Sequence, residues 1–266
     1  MHIVVCVKQV PDPEAAFSML KVDEEARKVV PASGLQLVMS PFDEQAIEAA
    51  LRVRENGTQA KITAISVGPE SARNVLKHAL AMGADEAVLV LNEGLQDIAQ
   101  VTALALSRAI RSLGPVDLVL TGRQAADWDA GVVGCGIAEL LGLPVVTFAR
   151  KVEITGQALR VERVLADGFE TIEADVPAVV TISNELGVPR KPTLRETMRA
   201  ARKPLAVKSA ADIDLAPKDI TRFAAVVTRE RLYVPVKEAT CEIITGADER
   251  AQACALAERL HDARLI

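Results

Sequence analysis

The sequence is poor in the residues from which self-contained sites are often built. Its 266 residues include one Trp, one Tyr and five Phe, which argues against a site that works by ring stacking alone. The four cysteines, Cys6, Cys135, Cys241 and Cys254, are far apart and form no C-x-x-C pair. That spacing indicates neither a zinc ribbon nor a disulfide framework, and no metal site is named. No apolar run approaches the roughly 20 residues that span a bilayer, and the N-terminus lacks a signal-peptide pattern, so a cytoplasmic protein without membrane insertion is expected. There is no basic excess either. Lys and Arg number 31 against 36 Asp and Glu, a net charge of −5, which gives a nucleic-acid partner no bulk electrostatic support.

What is present is an ordinary globular composition, 50% hydrophobic and 25% charged. It suffices for one large core, or one core and a smaller appendage. Residues 3–7, 62–67, 87–91, 118–120 and 145–148 are short, near-continuous runs of Val, Ile and Leu. Such runs suit parallel strands covered on both faces. Helical spacing fills the gaps: Ile47, Ala50 and Leu51 share one face, as do Val75, Leu76 and Ala79, and Val101, Leu104 and Ala105. Gly83, Gly114 and Gly142 follow the later helices where a left-handed residue is wanted. Strands alternating with helices imply an α/β fold with a doubly wound, mainly parallel sheet. The first crossover, residues 9–39 with Pro11, Pro13 and Pro31, is unusually long and reads as a loop or small excursion.

Beyond residue 148 the pattern changes. Residues 151–153, 159–164 and 171–173 alternate, with Thr155-Gly156 and Asp167-Gly168 as turn signals. This predicts an antiparallel ribbon extending the sheet edge. Residues 177–182 restore a buried strand, whereas residues 184–208 are rich in Pro, Arg and Lys and too poor in apolar residues for a core. An amphipathic helix closes the chain over residues 247–263, with Ala251, Cys254, Ala255 and Leu256 on one face. The expected partition is an α/β nucleotide-binding domain over residues 1–183 and a less compact C-terminal arm over residues 184–266. An arm of this kind packs most simply on a partner subunit.

The junction over residues 118–141, LVLTGRQAADWDAGVVGCGIAELL, concentrates the functional signal. A buried strand runs into a Gln/Asp/Gly loop that opens a glycine-spaced helix. Such a junction aims unpaired backbone N–H groups at an anion, so a phosphate-bearing ligand is expected there. The loop has no Lys-Ser/Thr pair, no His and no Cys pair, which points to binding rather than phosphoryl transfer or hydrolysis. Gly131 and Gly134 would permit either close backbone approach to phosphate or tight helix packing.

Five blocks resemble one family, the β subunit of electron transfer flavoprotein. They are IVVCVKQVPD, MSPFDEQAIEAALRVRE, the pair AISVGPES and ALAMGADEAVLV, LVLTGRQAADWD, and VERVLADGFETIEADVPAVVT. The last is similar to the family's signature segment through Arg163, Asp167, Gly168, Glu170, Ile172, Pro177 and Thr181, although Ala166 stands where an acid is usual. The similarity runs from residue 1 to about residue 205 and weakens beyond. It implies a heterodimer with an α subunit that holds most of the FAD, and a nucleotide in the β subunit, AMP or, in electron-bifurcating members, a second FAD. Electrons would come from an acyl-CoA or related dehydrogenase, or from NADH, and leave to a quinone reductase or ferredoxin.

Carried over residue by residue, the resemblance places the pocket at Cys6, at Ser40, Pro41, Phe42 and Asp43, at Val67, and at Gly122, Arg123, Gln124, Ala125, Ala126, Asp127, Trp128, Asp129, Ala130, Gly131, Val132 and Val133. Each has a plainer reading. Ser40 at N-cap, Pro41 at N1 and Asp43 at N3 make a good helix start. Cys6 is by default a small core residue, and residues 66–69 a strand-to-helix turn. Asp127 or Asp129 can cap the following helix, Asp129 the better candidate. Trp128, the sole Trp, fits core, surface or an edge contact with a nucleotide. Relatives that bind AMP usually carry Asn, Gln and Thr at positions matching 131–133, and bifurcating ones Thr, Ala and Gln at 130–132. Ala130, Gly131, Val132 and Val133 offer no side-chain donor, so phosphate would rely on backbone N–H groups, with Arg123 or the partner assisting. The N-terminal CVKQVPD is closer to the nitrogen-fixation-type and bifurcating branch, a lean towards FAD.

The segment KPTLRETM resembles the family's recognition loop, which places Leu194, Arg195 and Met198 at a docking surface for the partner dehydrogenase. An apolar anchor rimmed by Arg190, Lys191, Arg195 and Arg202 would meet an acidic partner. The plainer reading is a solvated basic helix with Leu194 folded on its own domain. No catalytic acid or base is named, because the chemistry of such a carrier belongs to its flavin and bifurcating activity would exist only in the complex with α. The alternative is a stand-alone adenine-nucleotide-binding α/β protein of the universal-stress type.

Overall fold

The computed structural model describes residues 1–235 and 241–266. In chain order the elements are β1 (His2–Cys6), β2 (Gln9–Pro11), β3 (Leu20–Asp23), β4 (Lys28–Pro31), β5 (Leu37–Met39), α1 (Pro41–Glu55), β6 (Lys61–Gly68), α2 (Arg73–Met82) and β7 (Glu86–Leu91). Then come α3 (Ala99–Arg111), β8 (Leu118–Gly122), α4 (Val133–Leu141), β9 (Val145–Thr155), β10 (Ala158–Leu165), β11 (Gly168–Asp175) and β12 (Ala178–Ile182). The last are α5 (Leu194–Ala200), β13 (Leu205–Lys208), α6 (Pro217–Ala224) and α7 (Glu249–Asp262). The described chain divides by compactness into Met1–Lys21 with Val29–Glu230, and Val22–Lys28 with Arg231–Ile266.

In the first unit one nine-stranded sheet runs in the order β11-β10-β9-β12-β8-β1-β6-β7-β13. The seven strands from β9 to β13 are parallel neighbours, and β10 and β11 add an antiparallel ribbon. This is the doubly wound sheet with a ribbon extension that the sequence predicts. Strand alternation sorts the buried residues between two layers. Ile3, Val5, Leu118 and Leu120 pack in one core with Ile47, Leu51, Leu76 and Leu80 of α1 and α2. Val4, Cys6, Val119 and Val179 pack in the other with Leu104, Ala105 and Ile137 of α3 and α4. Each strand is thus apolar on both faces because each face has its own helices.

Two local readings change. The apolar residues 145–148 and the alternating residues 151–153 belong to one strand, β9, bent at Phe148, whose φ is +58°. The register against β12 slips there between Val180 and Ile182, so one strand runs from the parallel sheet into the ribbon. The basic stretch read as non-core contributes β13, which pairs with β7 as the edge strand. Half-buried Leu205 and Lys208 flank two exposed residues there, and an edge requires no continuous apolar run. The long first crossover contains four short strands, of which β2 and β5 form an antiparallel pair. In the second unit α7 is N-capped by Asp248, whose Oδ1 accepts from the Ala251 N–H at 2.8 Å, and none of its residues is buried.

No described helix is long and apolar enough to cross a membrane. The chain order reverses at β1: β6 and β7 lie on one side, and β8 returns to the other. A doubly wound sheet opens a crevice at such a point, outside the C-terminal strand ends. Gly134 seats α4 on the sheet there, since a Cβ would meet Thr121 Oγ1 and Thr181 Cγ2, each at 2.7 Å. Both are short, stiff β-branched side chains. Overpacking should therefore exceed the helix-propensity gain of about 1 kcal/mol, so Gly134→Ala is expected to lower stability by about 1–2 kcal/mol in urea denaturation. An unchanged midpoint would refute this close seating.

Candidate functional site

The crevice is walled by three chain segments: the end of β1, the start of α1, and residues 122–133 between β8 and α4. Asp43 ties the first two to the third. Its Oδ2 accepts the Lys8 backbone N–H at 2.8 Å and its Oδ1 the Gly122 N–H at 3.2 Å. Gly122 is required by this approach, because a Cβ would lie 2.6 Å from Asp43 Oδ1 and 2.7 Å from Phe42 Cβ. Burial pushes the Asp43 carboxyl up to about 7, against the lowering influence of the Lys8 and Gly122 hydrogen bonds and the Lys8 charge, and with Asp127 adding repulsion.

The helix start is therefore not the simple cap that Ser40, Pro41 and Asp43 suggest. Pro41 does occupy the first turn, but the Ser40 side chain makes no cap bond. The fully buried Ser40 turns its hydroxyl to the loop, where it accepts the Ala126 N–H at 3.4 Å. Asp43 reaches across to the strand ends, so the reciprocal capping box does not form.

The loop is braced by polar contacts. Lys8 Nζ meets Asp127 Oδ2 at 2.6 Å, and the other Asp127 oxygen accepts the Trp128 N–H at 3.0 Å. Lys8 lies inside the KQVPD block, yet sequence reasoning did not single it out; its place two residues beyond the strand-end Cys6 was the available signal. Asp129 does not cap α4 either. It sits at φ +48°, donates its N–H to Ala125 O and accepts from Gln124 Nε2 at 2.7 Å. The N-cap position of α4 falls on Val132, no side chain caps it and no acid lies in its first turn. Gly131 turns the chain into the helix at φ +64°, while Ala130, Gly131 and Val132 are exposed.

Arg123 points elsewhere. Its guanidinium lies 5.2 Å from the Phe42 ring centroid and 5.8 Å from that of Phe148, and donates to Ser183 Oγ at 3.2 Å. Trp128 is 37% exposed and carries the Arg229 guanidinium 4.5 Å over its ring. Cys6 is buried in the α3/α4 core. Burial first, and the Asp43 charge second, push its thiol far above the ordinary range, so it is no nucleophile. Val67 is half-buried at the end of β6 and packs on the same core. The crevice thus offers buried carboxyl and hydroxyl groups, one ammonium, and an uncapped helix start.

Leu194, Arg195 and Met198 lie apart from the crevice, on α5. Leu194 is 78% and Met198 67% exposed, so Leu194 is not folded on its own domain. Thr193 and Glu196 form a full capping box at the helix start. Arg190 is not a rim cation: it is consumed by Glu48 and Glu55 of α1. Burial pushes the Glu48 carboxyl up, but hydrogen bonds from Arg190 and Arg52 outweigh it and leave it below the ordinary range. Arg190 likewise lowers Glu55.

The buried Asp43 makes a pH prediction. Its folded value of about 7 exceeds the ~4 of an unfolded aspartate. Its contribution to stability is complete below about pH 4 and is lost as pH rises through about 7. The stability of the wild type minus that of Asp43→Asn is expected to shrink across this window in urea denaturation. A difference independent of pH would refute the buried-carboxyl reading.

Comparison with known proteins shows which family the chain belongs to. The electron transfer flavoprotein domain model matches residues 28–213. The chain is 37% identical to the electron transfer flavoprotein subunit beta of Thermoanaerobacterium thermosaccharolyticum, over the full length of both. It is 34% identical to that of Megasphaera elsdenii, over 95% of this chain and 94% of the relative. It is also 33% identical, over the full length of both, to the caffeyl-CoA reductase-Etf complex subunit CarD of Acetobacterium woodii. The chain belongs to the electron transfer flavoprotein family, as a β subunit.

Proposed function

We propose that this chain pairs with an electron transfer flavoprotein α subunit and that the complex carries electrons from a flavin dehydrogenase, such as an acyl-CoA dehydrogenase, or from NADH to a quinone reductase or ferredoxin. Full-length identity to several β subunits supports this over a stand-alone stress-type protein. The exposed α7, with no residue buried, supports a C-terminal arm that packs on a partner.

The crevice at the chain reversal is the proposed nucleotide pocket. The uncapped start of α4 is the single observation that carries this reading. Its first N–H groups lack helix partners and lie at the positive end of the helix dipole, so they fit a phosphate without side-chain donors from Val132 and Val133. Lys8 offsets Asp127, which would otherwise repel an anion. Asp43 and Ser40 brace the wall, and Trp128 and Val67 supply apolar contact. A flavin, when bound, supplies the redox chemistry; the chain's own residues position it and limit water.

AMP or a second FAD fits these groups, and FAD is the favoured occupant. The N-terminal CVKQVPD and the similarity to a subunit named for a caffeyl-CoA reductase complex support that choice. Co-expression with the α subunit tests it: two flavins per heterodimer are expected. One flavin with AMP released on denaturation would refute the FAD assignment. A stable, colourless dimer of this chain alone would refute the heterodimer.

A further inference from the structure

The exposed pair Leu194 and Met198 sits on a helix of seven residues, α5. So short a helix does not keep its place by its own propensity. Leu186 and Ala200 anchor the stretch in the core at either end, but between them Val188 is 83% exposed and no residue from 187 to 199 is buried. Polar contacts to α1 hold the stretch between those anchors. Arg190 Nε donates to Glu48 Oε2 at 2.7 Å and one terminal nitrogen to Glu48 Oε1 at 3.2 Å. The terminal nitrogens also reach Glu55 at 2.5 and 2.9 Å. The Arg190 backbone N–H adds a contact of 3.2 Å to Glu48 Oε2.

Further contacts extend the clamp in both directions. Arg52 donates to Leu186 O at 2.9 Å, and Gln45 Nε2 lies 3.3 Å from the carbonyls of Asn184 and Gly187. Beyond α5, Lys203 Nζ donates to Leu80 O and Ala84 O at the end of α2. Glu48 and Glu55 are seven residues apart, hence on one face of α1. A planar guanidinium that bonds two carboxylates at once fixes orientation as well as distance.

We infer that Arg190 is a positioning residue for electron-transfer docking: by clamping the segment to Glu48 and Glu55 it presents Leu194 and Met198 in a preset register to an apolar, acid-rimmed pocket on the donor dehydrogenase. This rests on the proposed electron-carrier function and on the docking role that the resemblance of KPTLRETM implies for Leu194 and Met198. The occupant's chemistry follows from the patch, in which two apolar side chains are surrounded by exposed Lys191, Arg195, Arg199 and Arg202. Preset register removes an ordering cost that would otherwise oppose docking. A purely stabilising role for Arg190 would lower the melting temperature and leave docking untouched.

The test uses the purified heterodimer with a short-chain acyl-CoA dehydrogenase and butyryl-CoA as electron source. Arg190→Ala is expected to raise the KM for the heterodimer about tenfold, which corresponds to about 1.4 kcal/mol, while kcat changes less than about twofold. Hydrogen exchange should quicken in residues 184–200 and remain unchanged in β1 and β8. Arg190→Lys should recover little, because one ammonium does not reproduce two planar forks. Glu55→Gln, on an exposed position that folding tolerates, should give a smaller shift in the same direction. If Leu194→Ala raises KM but Arg190→Ala and Glu55→Gln do not, the clamp role is overturned alone. If the wild type accepts no electrons, or Leu194→Ala leaves KM unchanged, the docking reading falls and takes the clamp role with it.

Discussion

A buried carboxylate at the third position of a helix holds the site region together. Asp43 joins the end of β1 to the end of β8 through the backbone N–H groups of Lys8 and Gly122. Lys8 lies beyond the end of β1 and Gly122 is the last residue of β8, and a donor left unpaired there would carry a desolvation cost of about 1–3 kcal/mol. Several neighbouring choices follow from this one contact. Gly122 must lack a side chain, Ser40 is released from capping to meet Ala126, and Lys8 is carried to where its ammonium meets Asp127. The chain reversal makes the crevice, and Asp43 ties together the chain ends that border it.

The same helix then serves a second purpose. From Asp43 to Glu55 is twelve residues, about 18 Å of rigid rod at 1.5 Å per residue. One end walls the crevice and the other bears the carboxylates that clamp Arg190. The proposed nucleotide pocket and the proposed docking surface therefore take their positions from one element. Ile47 and Leu51, both fully buried between them, key that element to the sheet.

Much of the fold was legible because apolar runs and helical spacing are local signals. The strands around residues 3–7, 62–67, 87–91 and 118–120 appear close to where the sequence predicts them. The strand β13 escaped because an edge strand needs no apolar run, and the bend in β9 escaped because Phe148 carries no turn signature. In the site, the strand–loop–helix junction was legible and the pairing of its polar groups was not. Ser40 and Asp129 look like caps by position, yet the partner of Ser40 lies 86 residues away and that of Asp129 is set by a backbone turn at positive φ. Arg190 looked like a surface cation for the same reason: the two carboxylates that engage it lie 142 and 135 residues earlier in the chain. Spacing within a motif does not report such distances.

Trp128 has a consequence of a different kind. It is the only Trp in the chain, and it stands on the crevice loop beneath the Arg229 guanidinium. Indole emission from this polypeptide therefore originates at one place, beside the groups that would meet a ligand. An isoalloxazine absorbs where indole emits, whereas an adenine does not. The protein thus carries its own optical gauge, placed so that energy transfer separates a flavin from an adenylate in the crevice.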